Sequence, residues 1–128
     1  MSTVVLRVAL AIGFLIDAGV GLISLFAPHL LQSLFDIPVK DVMTIQIAGG
    51  EFVVAAVVYA LAFRDPVRFR ALLWICALDQ LFAVVLPAIG VARGDLPGTW
   101  KVVAPIPFQA LLAILFVLYA ANHPRRRA

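Results

Sequence analysis

Histidine, cysteine and charge are all scarce in this chain. Of its 128 residues two are histidine, His29 and His123, and one is cysteine, Cys76. Neither histidine falls inside an apolar run, so a transition-metal centre lacks its usual nitrogen donors, and no Glu-x-x-His pair is present for a di-iron bundle. Only His29 or Met43 stands near enough to a membrane edge to be weighed as a haem ligand. There is no Cys-x-x-Cys, glycine-rich phosphate loop or Ser/His/Asp set, which removes the usual redox-thiol, nucleotide and hydrolase readings. No metal and no particular cofactor can be assigned from these residues. A lone cysteine cannot close an intramolecular disulfide, and Cys76 reads as packing.

Charged residues make up 13% of the chain and hydrophobic ones 64%, a balance that excludes an ordinary soluble domain. Four apolar stretches carry it, at about residues 4–27, 42–63, 71–92 and 102–121, each near the roughly 20 residues that cross a bilayer as helix. No strand-length alternation suggests a barrel, so the backbone must satisfy itself as helix. The first run is too long for a signal peptide and lacks a small-x-small cleavage site after it. The expected fold is therefore all-α, a single membrane domain over 1–128 built as a four-transmembrane-helix bundle.

Lysine and arginine orient it. With both termini cytoplasmic, the inner side carries Arg7, Arg64, Arg68, Arg70, Arg125, Arg126 and Arg127, against Lys40, Arg93 and Lys101 outside. The net charge of +3 is then an orientation signal toward anionic lipid headgroups, and the PRRR tail is a helix flank, with no nucleic acid implied as partner. Trp74, Trp100 and Tyr119 are candidates for interfacial anchors, although Trp74 could equally be core.

Three carboxylates lie deep in the apolar runs: Asp17, Glu51 and Asp79. An Asp at mid-membrane costs roughly 2.5 to 3.5 kcal/mol on insertion scales, so it persists where protein or water faces it. Threaded alternately through the bilayer, Asp17, Glu51, Asp79, Gln80 and Gln109 fall within a slab of about 8 Å in the outer half, at 1.5 Å per residue. Small residues flank each acid at helical spacing: Gly13 and Gly21 around Asp17, Ala48 and Ala55 around Glu51, Cys76 and Ala83 around Asp79. Asp17, Gln46, Glu51, Asp79, Gln80 and Gln109 are thus the candidate ligand-binding set. Clustered acids in a desolvated place cannot all stay ionised without a cation, leaving proton binding, a cation, or a hydrogen bond to a polar headgroup as their chemistry. The competing reading makes them interhelical hydrogen-bond glue with the glutamines.

Pro87 interrupts the third run, and Pro105 and Pro107 punctuate the start of the fourth. Irregular backbone at this depth suits a pocket opening outward, or merely a kinked helix. Between the first two runs, Leu30, Leu31, Leu34 and Phe35 share one side of a segment, predicting a short interfacial helix or a lipid-level loop. Asp65 before Pro66 is an N-cap candidate in the RDPVRFR turn. The spacings of Asp17 to Asp79 and Gln46 to Gln109 hint at a parallel duplication pairing the first two helices with the last two.

The run GVGLISLFAPHLLQSLFDIP, followed by IQIAGGEFVVAAVVYALAFRDPVRFRALLW, resembles the DoxX-like and BphX-like small four-helix inner-membrane proteins. Gly21 with Pro28, the Ala48-Gly49-Gly50 start of the second helix and the Arg-Asp-Pro turn carry that resemblance. It implies a multi-pass location in the bacterial plasma membrane, in a family sometimes encoded beside respiratory or aromatic-degradation oxidoreductases, with no catalytic motif to transfer. Two functions then stand open. One is a binding or accessory subunit that holds a lipid-soluble, quinone-like molecule or a membrane partner, a second copy of the chain among them. The other is a proton- or cation-coupled transporter or membrane enzyme in which Glu51 and Asp79 exchange protons.

Overall fold

The computed structural model describes residues 2–122. His123 and the basic tail of Arg125, Arg126 and Arg127, on which part of the orientation argument rests, lie outside the described residues. Among those described, every regular element is helix: α1 (Thr3–Phe26), α2 (Leu30–Phe35), α3 (Val42–Arg64), α4 (Arg70–Arg93), α5 (Trp100–Val103) and α6 (Pro105–Asn122). Four helical stretches, Thr3–Phe26, Val42–Arg64, Arg70–Arg93 and Trp100–Asn122, are long and apolar enough to cross a membrane.

Local chemistry sets the boundaries. Ser2 caps α1 by accepting from the Val4 amide, and Asp41 caps α3 through Met43. α4 runs through Pro87 without a break and ends where Gly94 takes a left-handed conformation. The fourth span does break, at Ala104, because Pro105 and Pro107 can donate no backbone hydrogen bond, so α5 is a single turn ahead of α6. Asp65 was expected to cap the next helix. It instead accepts from the Arg68 amide at 3.0 Å and caps the turn, while Phe69 occupies the N-cap of α4.

The long helices associate as two pairs, α1 against α3 and α4 against α6, with a thinner seam of α3 on α4 and α1 on α6 between them. Each pair carries its short helix in the connecting loop, so both halves of the suggested duplication read long, short, long. Glycine makes the first pair close: a Cβ on Gly21 would stand 2.9 Å from the Gly49 carbonyl oxygen, and one on Gly49 would stand 2.7 Å from Ser24 Cβ.

The pairs join differently at the two ends of the bundle. At the end where α1 starts and α6 finishes, Leu6, Leu10, Tyr59, Ala62, Leu73, Cys76, Leu112 and Phe116 form one buried cluster drawn from all four long helices. Arg70 there donates from Nε to the Ala120 carbonyl at 2.9 Å, satisfying an end carbonyl of α6. Tyr119 is buried in this cluster and donates to the Ser2 carbonyl, so its ring packs inside the bundle. At the opposite, loop end, no residue of α4 beyond Gln80 is buried. The halves are clasped there by polar contacts between loops: Thr99 Oγ1 donates to Asp36 Oδ2 at 2.7 Å, and Lys101 Nζ donates to the Ser33 carbonyl at 3.1 Å and lies 3.7 Å from Asp36 Oδ1. An open cavity of about 340 Å³ sits at this clasp, lined by Gln32, Asp36, Pro38, Pro97 and Thr99.

Candidate functional site

Where the buried cluster ends and the seam begins, four polar side chains meet. Asp17 is carried on the buried stripe of α1 that also holds Gly13, Gly21 and Ser24, and only 2% of it is exposed. Asp79 and Gln80 follow Cys76 and Ala77 on α4, with Gln80 1% exposed. Tyr59 enters from α3, its ring seated on Gly13, where a Cβ would fall 2.3 Å from Cε1. Phe116 packs against the ring at a centroid distance of 5.9 Å.

Tyr59 is the hub. Its hydroxyl donates to Asp79 Oδ2 at 2.7 Å, with the Cys76 carbonyl oxygen a second acceptor at 3.3 Å, and it accepts from Gln80 Nε2 at 2.7 Å. Asp17 and Asp79 are near enough for their carboxyls to interact, and two buried carboxylates in one place repel unless a proton, a cation or a ligand donor stands between them. Three buried acceptors receive no donor from the protein: Asp17 Oδ2, Gln80 Oε1 and Gln109 Oε1. An unpaired buried acceptor costs about 1–3 kcal/mol, and in this cluster Asp17 Oδ2 and Gln80 Oε1 are two such acceptors, able to take hydrogen bonds beyond those the chain supplies. No group of three or more His, Cys, Asp or Glu suited to a metal ion occurs among the described residues.

The six candidate residues thus divide. Asp17, Asp79 and Gln80 come together. Gln109 lies about two turns along α6 from Phe116, on the stripe it shares with Leu112, and so faces the interior farther toward the loop end. Gln46 has a structural partner, donating to the Leu25 carbonyl at 3.2 Å, which satisfies an end carbonyl of α1. Glu51 departs from the expected layer and is exposed. The contact of α3 with α1 is fixed at this level by Gly49, and position 51, about 160° around the helix from it, is turned away from α1. Tyr59 escapes a reading that counts only charges and amides as polar; Gly13, one turn before Asp17, is the sequence sign that something bulky sits opposite.

Comparison with known proteins adds no relative, since no protein-family model, curated protein or solved structure matches the chain.

Proposed function

We propose that this is a multi-pass protein of the bacterial plasma membrane, with both termini cytoplasmic, that acts as a binding subunit for a small lipid-soluble molecule carrying hydroxyl donors, as a reduced quinone does. The observation that carries the reading is the pair of donorless acceptors, Asp17 Oδ2 and Gln80 Oε1, inside a tyrosine-centred polar cluster. A ligand hydroxyl would supply the missing donor, and the thin seam between the helix pairs is the natural place for an apolar ring to enter from lipid. Affiliation with the DoxX-like group rests on the sequence motifs alone and is part of the same proposal; an oxidoreductase partner would follow from it.

A second reading is favoured by the nearness of the Asp17 and Asp79 carboxyls within the apolar interior. Such a pair can hold and release a proton, which is what a proton-coupled carrier or membrane enzyme needs.

Native mass spectrometry of the protein in mild detergent separates them. A retained small-molecule mass, lost in Asp17→Leu and kept in the lipid-side variant Leu86→Ala, supports the binding subunit. Bare protein, together with proton flux in liposomes that Asp79→Asn abolishes while the variant still folds, supports proton chemistry instead.

A further inference from the structure

Three buried oxygens on three different helices accept no hydrogen bond: Asp17 Oδ2 on α1, Gln80 Oε1 on α4 and Gln109 Oε1 on α6. Asp17 and Gln80 are 2% and 1% exposed, and the Gln80 amide lies inside the cluster, its Nε2 2.7 Å from the Tyr59 hydroxyl and 3.4 Å from Asp79 Oδ2. Gln109 stands near their level. Arg70 Nε, bonded to the Ala120 carbonyl, sets the register of the antiparallel α4 and α6. Counting inward from that contact, Gln80 lies about 15 Å along α4 and Gln109 about 16.5 Å along α6, at 1.5 Å per residue. The place is also acidic, since Asp79 stands beside Asp17. Every described lysine and arginine lies in a loop or within two turns of a span end, so no cation of this chain reaches it. Tyr59 on α3 and Cys76 on α4 are the other titratable groups near the pair, and α6 brings Gln109 and apolar side chains.

We infer that this is the site for the primary ammonium head of a lipid-soluble amine, whose three N–H groups go to Asp17 Oδ2, Gln80 Oε1 and Gln109 Oε1. The inference rests on the proton-exchanging reading of the Asp17–Asp79 pair and names the solute that exchanges with the proton. A primary ammonium carries three donors and no acceptor, so it matches the three free oxygens in number and in kind. A hydroxyl supplies one donor and leaves two of those oxygens unpaired, and a quaternary ammonium supplies none. Charge selects in the same direction, because a cation between two carboxylates takes the place of the proton that otherwise stands there. As the amine enters, one proton leaves to water and the charge of the site is unchanged. The apolar body of the amine lies in the thin seam, reached past Asp79, which is half-buried where Asp17 and Gln80 are closed off.

Three probes with one skeleton and different heads test it: phenethylammonium, phenethyltrimethylammonium and phenethyl alcohol. Each is measured at neutral pH by equilibrium dialysis against the protein in mild detergent, with empty micelles as the blank. We expect the primary ammonium to bind about tenfold tighter than either of the others, the size of effect that one buried hydrogen bond carries. Gln109→Leu removes an acceptor that bonds nothing in the protein, and should weaken phenethylammonium about tenfold while leaving the trimethyl probe unchanged. Infrared spectra of the same samples follow the proton. The wild-type chain should show the carbonyl band of a protonated carboxyl, Asp17→Asn should lack it, and saturating phenethylammonium should bleach it. Equal or tighter binding of phenethyl alcohol overturns the inference and returns the site to a neutral hydroxyl ligand. Equal binding of the trimethyl probe overturns it too, since charge alone is then read, as does binding of none of the three or a preference that Gln109→Leu leaves intact. A wild-type chain without the carboxyl band loses the proton reading, and this inference with it; a band that phenethylammonium leaves unbleached defeats the inference alone.

Discussion

The two ends of the bundle use the same four long helices and hold them by different means. Where α1 starts and α6 finishes, side chains interlock: Leu10 and Phe116 are wholly buried, and Tyr59 and Leu73 are 1% exposed. At the loop end the α1–α3 pair stays closed through backbone approach at Gly21 and Gly49, while α4 buries nothing past Gln80 and the halves touch through the Asp36, Thr99 and Lys101 clasp. One end is a packed core and the other a polar latch. The site sits at the junction, where the rigid end can hold Tyr59 and Asp79 in register while the seam beyond them stays thin. The proposed binding would draw precision from one side and access from the other.

The sharpest way to break that contrast is to truncate equivalent bulk at each end. Phe116→Ala removes a fully buried ring and the tilted contact with Tyr59, and should cost about 3–5 kcal/mol. Leu86→Ala, at a site 59% exposed on the loop half of α4, should stay within about 0.5 kcal/mol. Reversible unfolding in mixed detergent micelles, followed by circular dichroism, measures both. Equal losses would mean that the loop half of α4 is packed as tightly as the core.

Next in size is Tyr59→Phe, which keeps the ring on Gly13 and deletes only the hydroxyl. Asp79 Oδ2 then loses its 2.7 Å donor and Gln80 Nε2 its 2.7 Å acceptor, for an expected cost of about 1–3 kcal/mol. The same micelle titration reads it. Adding Asp79→Asn should then cost less than it does in wild type, because the two groups share one network. Strict additivity would dismiss Tyr59 as the hub.

How much of this was written in the sequence differs between the same two ends. The four long helices were legible because a run of about twenty apolar residues suits a membrane-crossing helix, and their boundaries fall within a few residues of the expected ones. Asp17 and Asp79 were legible as interior residues because Gly13, Gly21, Cys76 and Ala83 share their stripes. Glu51 had the same kind of neighbours, Ala48 and Ala55, and still points outward, since on α3 the glycine at 49 outranks the alanines in deciding which face approaches α1. A flanking pair of small residues marks a face that can be close, and helix packing chooses among such faces. Tyr59 and the clasp were not legible. The first is a polar tip on an apolar body. The second joins Asp36 to Thr99, 63 positions apart in loops that carry no periodicity.

A smaller effect tests the latch. Thr99→Val removes the hydroxyl that Asp36 Oδ2 accepts and should cost about 1 kcal/mol or less globally. Its local signature is larger: amide exchange across Leu30–Phe35 should speed up severalfold, with Leu73–Gln80 unchanged, since opening the loop end leaves the packed end intact. Asp36→Asn separates the two contacts of the clasp. An asparagine tolerates the left-handed conformation at position 36, where φ is 55°, and still accepts from Thr99, but gives up the partly exposed ion pair with Lys101. Such a pair is worth about 0–1 kcal/mol, so Asp36→Asn should accelerate exchange less than Thr99→Val does. The reverse order would make the ion pair the main fastening.

The smallest expected effect belongs to Asp41, the fully exposed cap of α3 at the loop end. The Thr44 hydroxyl, donating to Oδ2 at 2.6 Å, and the Met43 amide, donating to Oδ1 at 3.1 Å, hold its carboxyl below the usual aspartate value of 3.8. A lowered folded value means that the unfolded chain binds the proton more readily, so the stabilisation is present above the ordinary value and fades as pH falls through the lowered one. In the wild-type protein amide protection against exchange at the start of α3 should therefore fall slightly on acidification below about pH 4, and in Asp41→Asn, which caps without titrating, it should fall less over the same interval. The change should appear only in probes of the loop end, such as exchange at Met43 and Thr44. If acid instead loosened the Phe116 cluster first, the packed end would be the pH-sensitive one, and the division between core and latch would have to be redrawn.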